Sequence, residues 1–263
     1  MSKLIFVAAG EESNWGYMES VKYLGLEVTD SVKDFHGFPE EFALVVFTGG
    51  ADVTPSIYGH EKSKLTYNSE MRDYHEKHIF MTAIEFAIPM AGICRGMQWL
   101  NCMAGGFMVQ HVDSHNLCGN HYAHSYTGQD IKVNSLHHQM CIPPDDAYIL
   151  AASATQRSQR YILGNKKKKF VAPVEVESAY FPNIHAFGVQ WHPEGFGCPQ
   201  DGVDFWERHV ELLFDYGEFQ HVLETNKPPR MPQLREERIM KMKYRLRYRS
   251  VREQNQYKTK EAT

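Results

Sequence analysis

Apolar runs of strand length alternate along this chain with amphipathic stretches of helix length, and that alternation leaves few architectures open. The runs are Leu4 to Ala8, Ala43 to Phe47, Pro89 to Ile93 and Ala186 to Gln190. Between them Trp15 to Tyr23 reads as a helix. Arg72 to Phe86 reads as another, with Ile79, Ala83 and Phe86 recurring at helical spacing. A third helix is expected to start just after Cys94, pass through Met97, Leu100 and Met103, and stop at Gly105-Gly106. The pattern predicts an α/β fold: a mostly parallel sheet with helices on both faces.

From Lys132 to Tyr180 the character changes to Val-, Ile- and Tyr-rich runs broken by Pro143-Pro144 and Asn165. These are expected to be antiparallel strands and loops added to the sheet, with Lys166 to Lys169 as a solvated hairpin tip. Asp201 to Tyr216 reads as a closing helix whose apolar face is Phe205, Val210, Leu213 and Phe214. Three prolines between Pro228 and Pro232 forbid a regular helix there. The domain reading is therefore 1–225 as one folded unit, and 226–263 as a Pro-rich linker with a basic tail in which Leu234 to Arg252 could be helical. From Lys227 onward, 12 Lys and Arg face 4 Asp and Glu, whereas the residues before it are net acidic, so the tail is a segment of a different kind.

Several function classes drop out on composition. The hydrophobic residues are spread in short runs, none long enough for a membrane helix. The start, with one Lys and a short apolar run followed by acidic residues, lacks the layout of a secretion signal, so a cytoplasmic protein is expected. Five cysteines, scattered and odd in number, argue against a disulfide framework and leave room for one working thiol.

That thiol is placed by Ala91-Gly-Ile-Cys-Arg-Gly-Met-Gln-Trp-Leu100, an apolar strand that turns through small residues around Cys94 into a helix. Such a turn lifts a nucleophile out at the carboxyl end of a sheet, and the helix that follows aims its positive end at the sulfur. Both effects favour the thiolate, the form that attacks. A thiolate needs a partner that takes and returns a proton near neutrality, which suits histidine. Phe187-Gly-Val-Gln-Trp-His-Pro-Glu194 ends a strand at His192 with a carboxylate two residues on; in extended chain both side chains point the same way, so Glu194 can orient the ring. Acyl transfer also needs donors for the developing oxyanion. Thr48-Gly-Gly-Ala-Asp52, directly after a strand, supplies an unobstructed turn, and the backbone N–H groups of Gly50 and Arg95 are the choices here. No Gly-Lys-Ser/Thr follows the glycine pair, which argues against a phosphate loop.

Four stretches taken together resemble the class I glutamine amidotransferase-like superfamily, and within it the γ-glutamyl hydrolase branch typified by γ-glutamyl-γ-aminobutyrate hydrolase. They are Gly49 to Gly59, Gly92 to Gln98, Val133 to Gln139 and Gly188 to Glu194, in the family's order. The resemblance implies a flavodoxin-like fold and a γ-glutamyl-thioester on Cys94, hydrolysed by water, with His192 and Glu194 completing a triad and Gly50 and Arg95 an oxyanion hole. It also implies that Gln98 contacts the substrate amide or carbonyl, and that Ser135 and His137 lie near the α-amino and α-carboxylate end. Arg72-Asp73 matches a family feature as well, although an exposed ion pair at a helix start explains it equally. The short segment Gly10 to Trp15 and the basic tail depart from the family pattern.

No cofactor or metal is assigned. His115, Cys118, His121 and His124 recur every three residues and zinc could use such a set, but the spacing matches no standard finger, and His137 and His138 fall within a family stretch. The partner expected is a small-molecule γ-glutamyl substrate. Two alternatives stand beside the hydrolase: a glutaminase subunit that feeds ammonia to a separate synthetase, and a protein whose basic, tyrosine-bearing tail binds nucleic acid or another anionic partner.

Overall fold

The computed structural model describes residues 4–8, 15–116, 119–164, 172, 174–195 and 197–230. In chain order its strands begin with β1 (Leu4–Ala8), β2 (Glu27–Thr29), β3 (Phe42–Phe47), β4 (Met90–Ile93), β5 (Phe107–Val109) and β6 (His111–Val112). They continue with β7 (Gly119–Ser125), β8 (Asp130–Ser135), β9 (Met140–Ile142), β10 (Tyr148–Ser153), β11 (Tyr161–Ile162), β12 (Val176–Phe181) and β13 (Ala186–Val189). The helices are α1 (Trp15–Glu19), α2 (Val32–Gly37), α3 (Glu70–Glu85), α4 (Arg95–Met103), α5 (Gln200–Leu212) and α6 (Tyr216–Asn226).

Nine strands form one mixed sheet in the order β2-β1-β3-β4-β13-β12-β10-β7-β8. Pairing is parallel from β2 to β13, where crossovers contain helices, and antiparallel from β13 to β8. Strands β5 with β9 and β6 with β11 make two separate antiparallel pairs. The α/β, flavodoxin-like expectation describes this sheet, and the antiparallel strands extend it at one edge.

The alternation of side chains across the pleat explains why both faces are covered. Ile5, Val7, Leu44, Val46, Ala91, Ile93, Phe187 and Val189 share one core with Phe205, Trp206 and Val210 of α5 and Phe219 and Leu223 of α6. The interleaved residues face the other way: Phe6 stacks on Phe35 of α2 with ring centroids 4.5 Å apart. On that face α4 lies almost backbone to backbone on the sheet, because a Cβ on Gly96 would stand 2.0 Å from the Phe47 carbonyl oxygen and one on Gly92 would stand 2.5 Å from the Gly96 carbonyl carbon. Gly96→Ala should therefore push α4 off β3 and cost about 1–3 kcal/mol. Gly37→Ala, with nothing within 4 Å of the added methyl, is the control that should leave the thermal midpoint unchanged.

Local expectations are met with shifts that have identifiable causes. The first helix stops at Glu19 and passes into a 3₁₀ turn at Lys22–Leu24 that ends on left-handed Gly25. Helix α3 begins two residues early because the Ser69 hydroxyl caps it, accepting from the Arg72 N–H. The closing helix ends at Leu212 rather than Tyr216: Asp215 accepts from Glu218 N–H at 2.9 Å and starts α6 instead. Phe214 is consequently exposed, not part of the apolar face. The expected linker is docked where it is described, with Pro229 C=O accepting from Ile149 N–H at 3.0 Å and the Arg230 guanidinium lying 3.6 Å over the Tyr148 ring. The Lys166 to Lys169 tip, most of the Gly10 to Trp15 segment, Cys118 and the Leu234 to Arg252 helix lie outside the described residues. Among the described residues no helix is long and apolar enough to cross a membrane.

Candidate active site

Cys94 sits between β4 and α4 with φ 52° and ψ −107°. A non-glycine residue holds such a backbone only when its surroundings over-determine it. Here its N–H donates to Val189 C=O at 2.7 Å, and its C=O accepts from Gln98 N–H at 3.2 Å and from Gln190 Nε2 at 3.1 Å. Pinned on both sides, residue 94 presents its sulfur at the amino-terminal end of α4, where the helix dipole and unpaired N–H groups favour negative charge. Three other thiols are described. Burial drives those of Cys102 and Cys141 well above the ordinary thiol range, and that of Cys198 to about 11. Of these, Cys141 is raised further by Cys102, Cys94 and Glu177; Cys102 and Cys141 are plain buried cysteines as expected, and Cys198 is half-buried.

His192 and Glu194 do point the same way after β13: His192 Nδ1–H donates to Glu194 Oε1 at 2.7 Å. The backbone of His192 is itself clamped, since Asn134 Oδ1 accepts from its N–H at 2.8 Å and Asn134 Nδ2 donates to its C=O at 2.9 Å. Burial disfavours the imidazolium, but the neighbouring Cys94 and then Glu194 outweigh it and raise the His192 pKa to about 11. The glycine turn lies against the same ring: a Cβ on Gly49 would be 3.1 Å from His192 Cε1 and 2.5 Å from the Tyr17 hydroxyl. The structure thus gathers Cys94, His192, Glu194 and the Thr48–Gly50 turn in one place.

Tyr17 on α1 joins them without any signal in its own stretch of sequence. Burial, then the negative charges of Glu194 and Cys94, raise its phenol far above the ordinary tyrosine range, while a hydrogen bond to the Gly49 backbone opposes the rise. A neutral hydroxyl is what this position keeps.

The turn is held from behind by buried charges. Gly50 adopts φ 125°, a conformation that suits glycine, and a Cβ there would strike Arg72 Nη1 at 2.2 Å. Arg72 donates from Nη1 to Gly49 C=O at 2.8 Å and from Nη2 to Thr48 C=O at 3.0 Å, and Arg95 Nε donates to Ala51 C=O at 3.0 Å. Arg72 also pairs with Glu76 at 2.8 Å, and Arg95 pairs with both Asp73 and Glu76. The reading of Arg72-Asp73 as an exposed helix-start pair is corrected: both are under one-tenth exposed, because their partners come from α4 and the β3 turn, not from solvent.

Of the three expected substrate contacts, Gln98 is buried on α4 with Nε2 3.4 Å from Gln190 Oε1, and Gln190 reaches back to Cys94 C=O, so it belongs to the same neighbourhood. Ser135 and His137 turn inward. Ser135 Oγ donates to His115 C=O at 2.5 Å and His137 Nδ1 donates to Gln139 C=O at 2.8 Å. The threefold histidine spacing does not gather one ligand set: strand β7 alternates faces, so His121 is buried while His124 is exposed and bonded to Asp130 at 2.9 Å.

Comparison with known proteins finds likenesses to glutamine amidotransferase-like proteins. Residues 24–130 match the Peptidase C26 family, a span that contains the Gly49-Gly50 turn and Cys94 and ends before His192. The chain is 28% identical to a putative glutamine amidotransferase-like protein, YvdE, of Lactococcus lactis over 74% of this chain and 81% of that one. It is 26% identical to protein NtpR of Enterococcus hirae over 62% and 72% of the two chains. Among solved structures, a glutamine amidotransferase from Thermotoga maritima superposes with a TM-score of 0.51 at 18% identity, covering 85% of this chain and 94% of that one. A putative GMP synthase subunit from Thermoplasma acidophilum gives 0.53 at 18% identity, over 84% and 98%. The fold is that of these structures, and the likenesses together support the class I glutamine amidotransferase-like superfamily and an amide-hydrolysing or amide-nitrogen-transferring enzyme.

Proposed function

We propose, from that support for an amidotransferase-like enzyme, that the chain is a cysteine-dependent hydrolase of γ-glutamyl amides: glutamine, a γ-glutamyl-amine or a γ-glutamyl peptide. The observation that carries the reading is the position of His192, hydrogen-bonded to Glu194 at 2.7 Å and close enough to Cys94 at the head of α4 for that residue to raise its pKa. The thiolate of Cys94 adds to the γ-carbonyl carbon, and the oxygen takes negative charge facing the N–H groups of Gly50 and Arg95. As the tetrahedral adduct collapses, the C–N bond breaks and the His192 imidazolium gives its proton to the departing amine. His192, now neutral, takes a proton from water as the water attacks the thioester, and glutamate leaves as the Cys94 thiolate and imidazolium are restored. Glu194 keeps the proton on Nδ1 throughout.

The experiment is a screen of γ-glutamyl compounds for glutamate release by the purified chain. A compound turned over by the chain alone supports the hydrolase. Release that stays near background until a synthetase is added supports the alternative, an ammonia-supplying subunit that uses the same residues.

The His192 pKa supplies a further expectation. Because the group is raised to about 11, the proton donor persists through neutral pH, and kcat/KM should fall on the alkaline side as that proton is lost. Glu194→Gln removes one of the charges that raise it, so the alkaline limb should move toward lower pH while the rate drops by about 10²–10⁴-fold. A pH profile with an unmoved limb would remove Glu194 from the proposed site.

A further inference from the structure

Away from the thiol, a second group of buried side chains meets and has no use in the chemistry above. His115 lies in the loop after β6, His137 lies just beyond β8 and Glu177 stands on β12, and each is at most 3% exposed. The two rings are 4.7 Å apart between centroids. Each ring already has one nitrogen committed: His137 Nδ1 faces Gln139 C=O at 2.8 Å, and His115 Nε2 faces Glu175 Oε2 at 3.1 Å. A carbonyl or a carboxylate accepts, so these nitrogens carry the protons, and in the neutral rings His137 Nε2 and His115 Nδ1 are left with bare lone pairs. Those two nitrogens and Glu177 Oε2 are buried without a hydrogen-bond partner. His121 Nε2 donates to the other oxygen of Glu177 at 2.9 Å, which fixes the carboxylate in place.

Burial opposes charge on His115, but hydrogen bonds to Glu175 and Glu177 outweigh it and raise its pKa to about 9, so without a metal a proton on Nδ1 lies here; in the neutral ring three acceptors meet at one buried spot and leave a place for a cation. His115 Nδ1 is 3.4 Å from Glu177 Oε1, His137 Nε2 is 3.7 Å from Glu177 Oε2, and one donor atom from each residue falls within 4.8 Å of the others. Bonds of about 2.0–2.2 Å in a tetrahedral shell put ligand atoms about 3.4 Å apart, a spacing that each imidazole nitrogen approaches with a different oxygen of Glu177. Glu175 and the Gln139 carbonyl hold the far sides of the two rings, as the outer partners of metal-bound histidines do.

We propose that His115 Nδ1, His137 Nε2 and Glu177 bind one divalent transition-metal ion, zinc by the chemistry of the donor set. Two imidazoles and a carboxylate are borderline ligands suited to Zn²⁺ and Co²⁺ and poor ones for Mg²⁺ or Ca²⁺. Because the ligands come from three separate stretches of chain and are buried, the ion is taken up as the protein folds.

The test uses the full chain, unfolded with a chelator and refolded with either Zn²⁺ or Co²⁺. The expected result is one ion per chain that survives gel filtration, with a higher thermal midpoint than the metal-free protein. Co²⁺ should give d–d absorption of a nitrogen- and oxygen-ligated site with no thiolate charge-transfer band. Stoichiometric binding should be lost in His137→Gln and Glu177→Gln and kept in Cys94→Ser and in His124→Ala. A thiolate band that disappears in Cys94→Ser would place the ion at the sulfur and overturn the proposal. So would a refolded wild type that holds no stoichiometric metal, the outcome if a shared proton on His115 fills the gap instead. Should the ligand variants fail to fold, X-ray absorption of the wild-type Zn²⁺ complex decides: two imidazoles and no sulfur support the site, and any sulfur or fewer imidazoles refutes it.

Discussion

Cys94→Ala should lower glutamate release from γ-glutamyl substrates by about 10⁴-fold or more, the scale on which removing an activated nucleophile acts. His192→Ala should cost a similar factor. The double variant should be little worse than either single one, because nucleophile and base act as one unit. The fold should survive in each case, since the bonds that pin residue 94 are made by its backbone. A second measurement separates chemistry from strain. Cys94→Gly should unfold later than Cys94→Ala by about 1 kcal/mol, because glycine takes a φ of 52° without the steric cost that any β-carbon meets there. Turnover by Cys94→Ala equal to wild type would refute the thioester mechanism, whatever the stability result.

The largest expected effect on stability falls on Arg95. Arg95→Met keeps the backbone N–H proposed for the oxyanion hole but strips Asp73 and Glu76 of a buried cation that bonds both. Leaving carboxylates buried without their partner costs about 3–5 kcal/mol, a drop of roughly 10 °C in the thermal midpoint for a chain of this size. Arg72→Lys should separate positioning from stability. A lysine retains the charge beside Glu76, but its single ammonium cannot reproduce the fork that grips the carbonyls of Thr48 and Gly49. The expected result is a fall in kcat of about 10–10²-fold, smaller than the loss of an oxyanion donor outright, with KM and melting little changed. A kcat like that of wild type would mean that the turn holds its shape without the guanidinium.

The proposed metal site is independent of these results. It shares no side chain with the proposed triad, and its test counts ions and identifies ligands without asking for turnover.

What could be read from residue order is what backbone periodicity expresses locally. Runs of strand length or helical spacing placed β1, β3, β4 and β13, with α3 and α4, within a few residues, whereas the three-residue β2 is too short and too exposed to stand out. The strand, small-residue turn and helix around Cys94 and the extended His192-Pro-Glu194 lie within single short stretches, so their local geometry follows from the chain alone. Side chains two apart in extended backbone share a face, which is why the bond between His192 and Glu194 could be foreseen. At His115 to His124 residue order offers a threefold repeat that zinc could use, to which no metal is assigned; β7 has period two and sends His121 and His124 to opposite faces.

Only the tertiary structure decided which polar residues are buried, because burial of a charge depends on a partner that residue order does not name. Arg72 and Asp73 look solvent-facing until Thr48, Gly49, Glu76 and Arg95 close around them. Asn134 clamps the backbone of a histidine 58 positions later. Tyr17 reaches the Gly49 turn from a helix with no marked residue in it. Periodicity assigns a residue to a face; folding alone determines what that face meets.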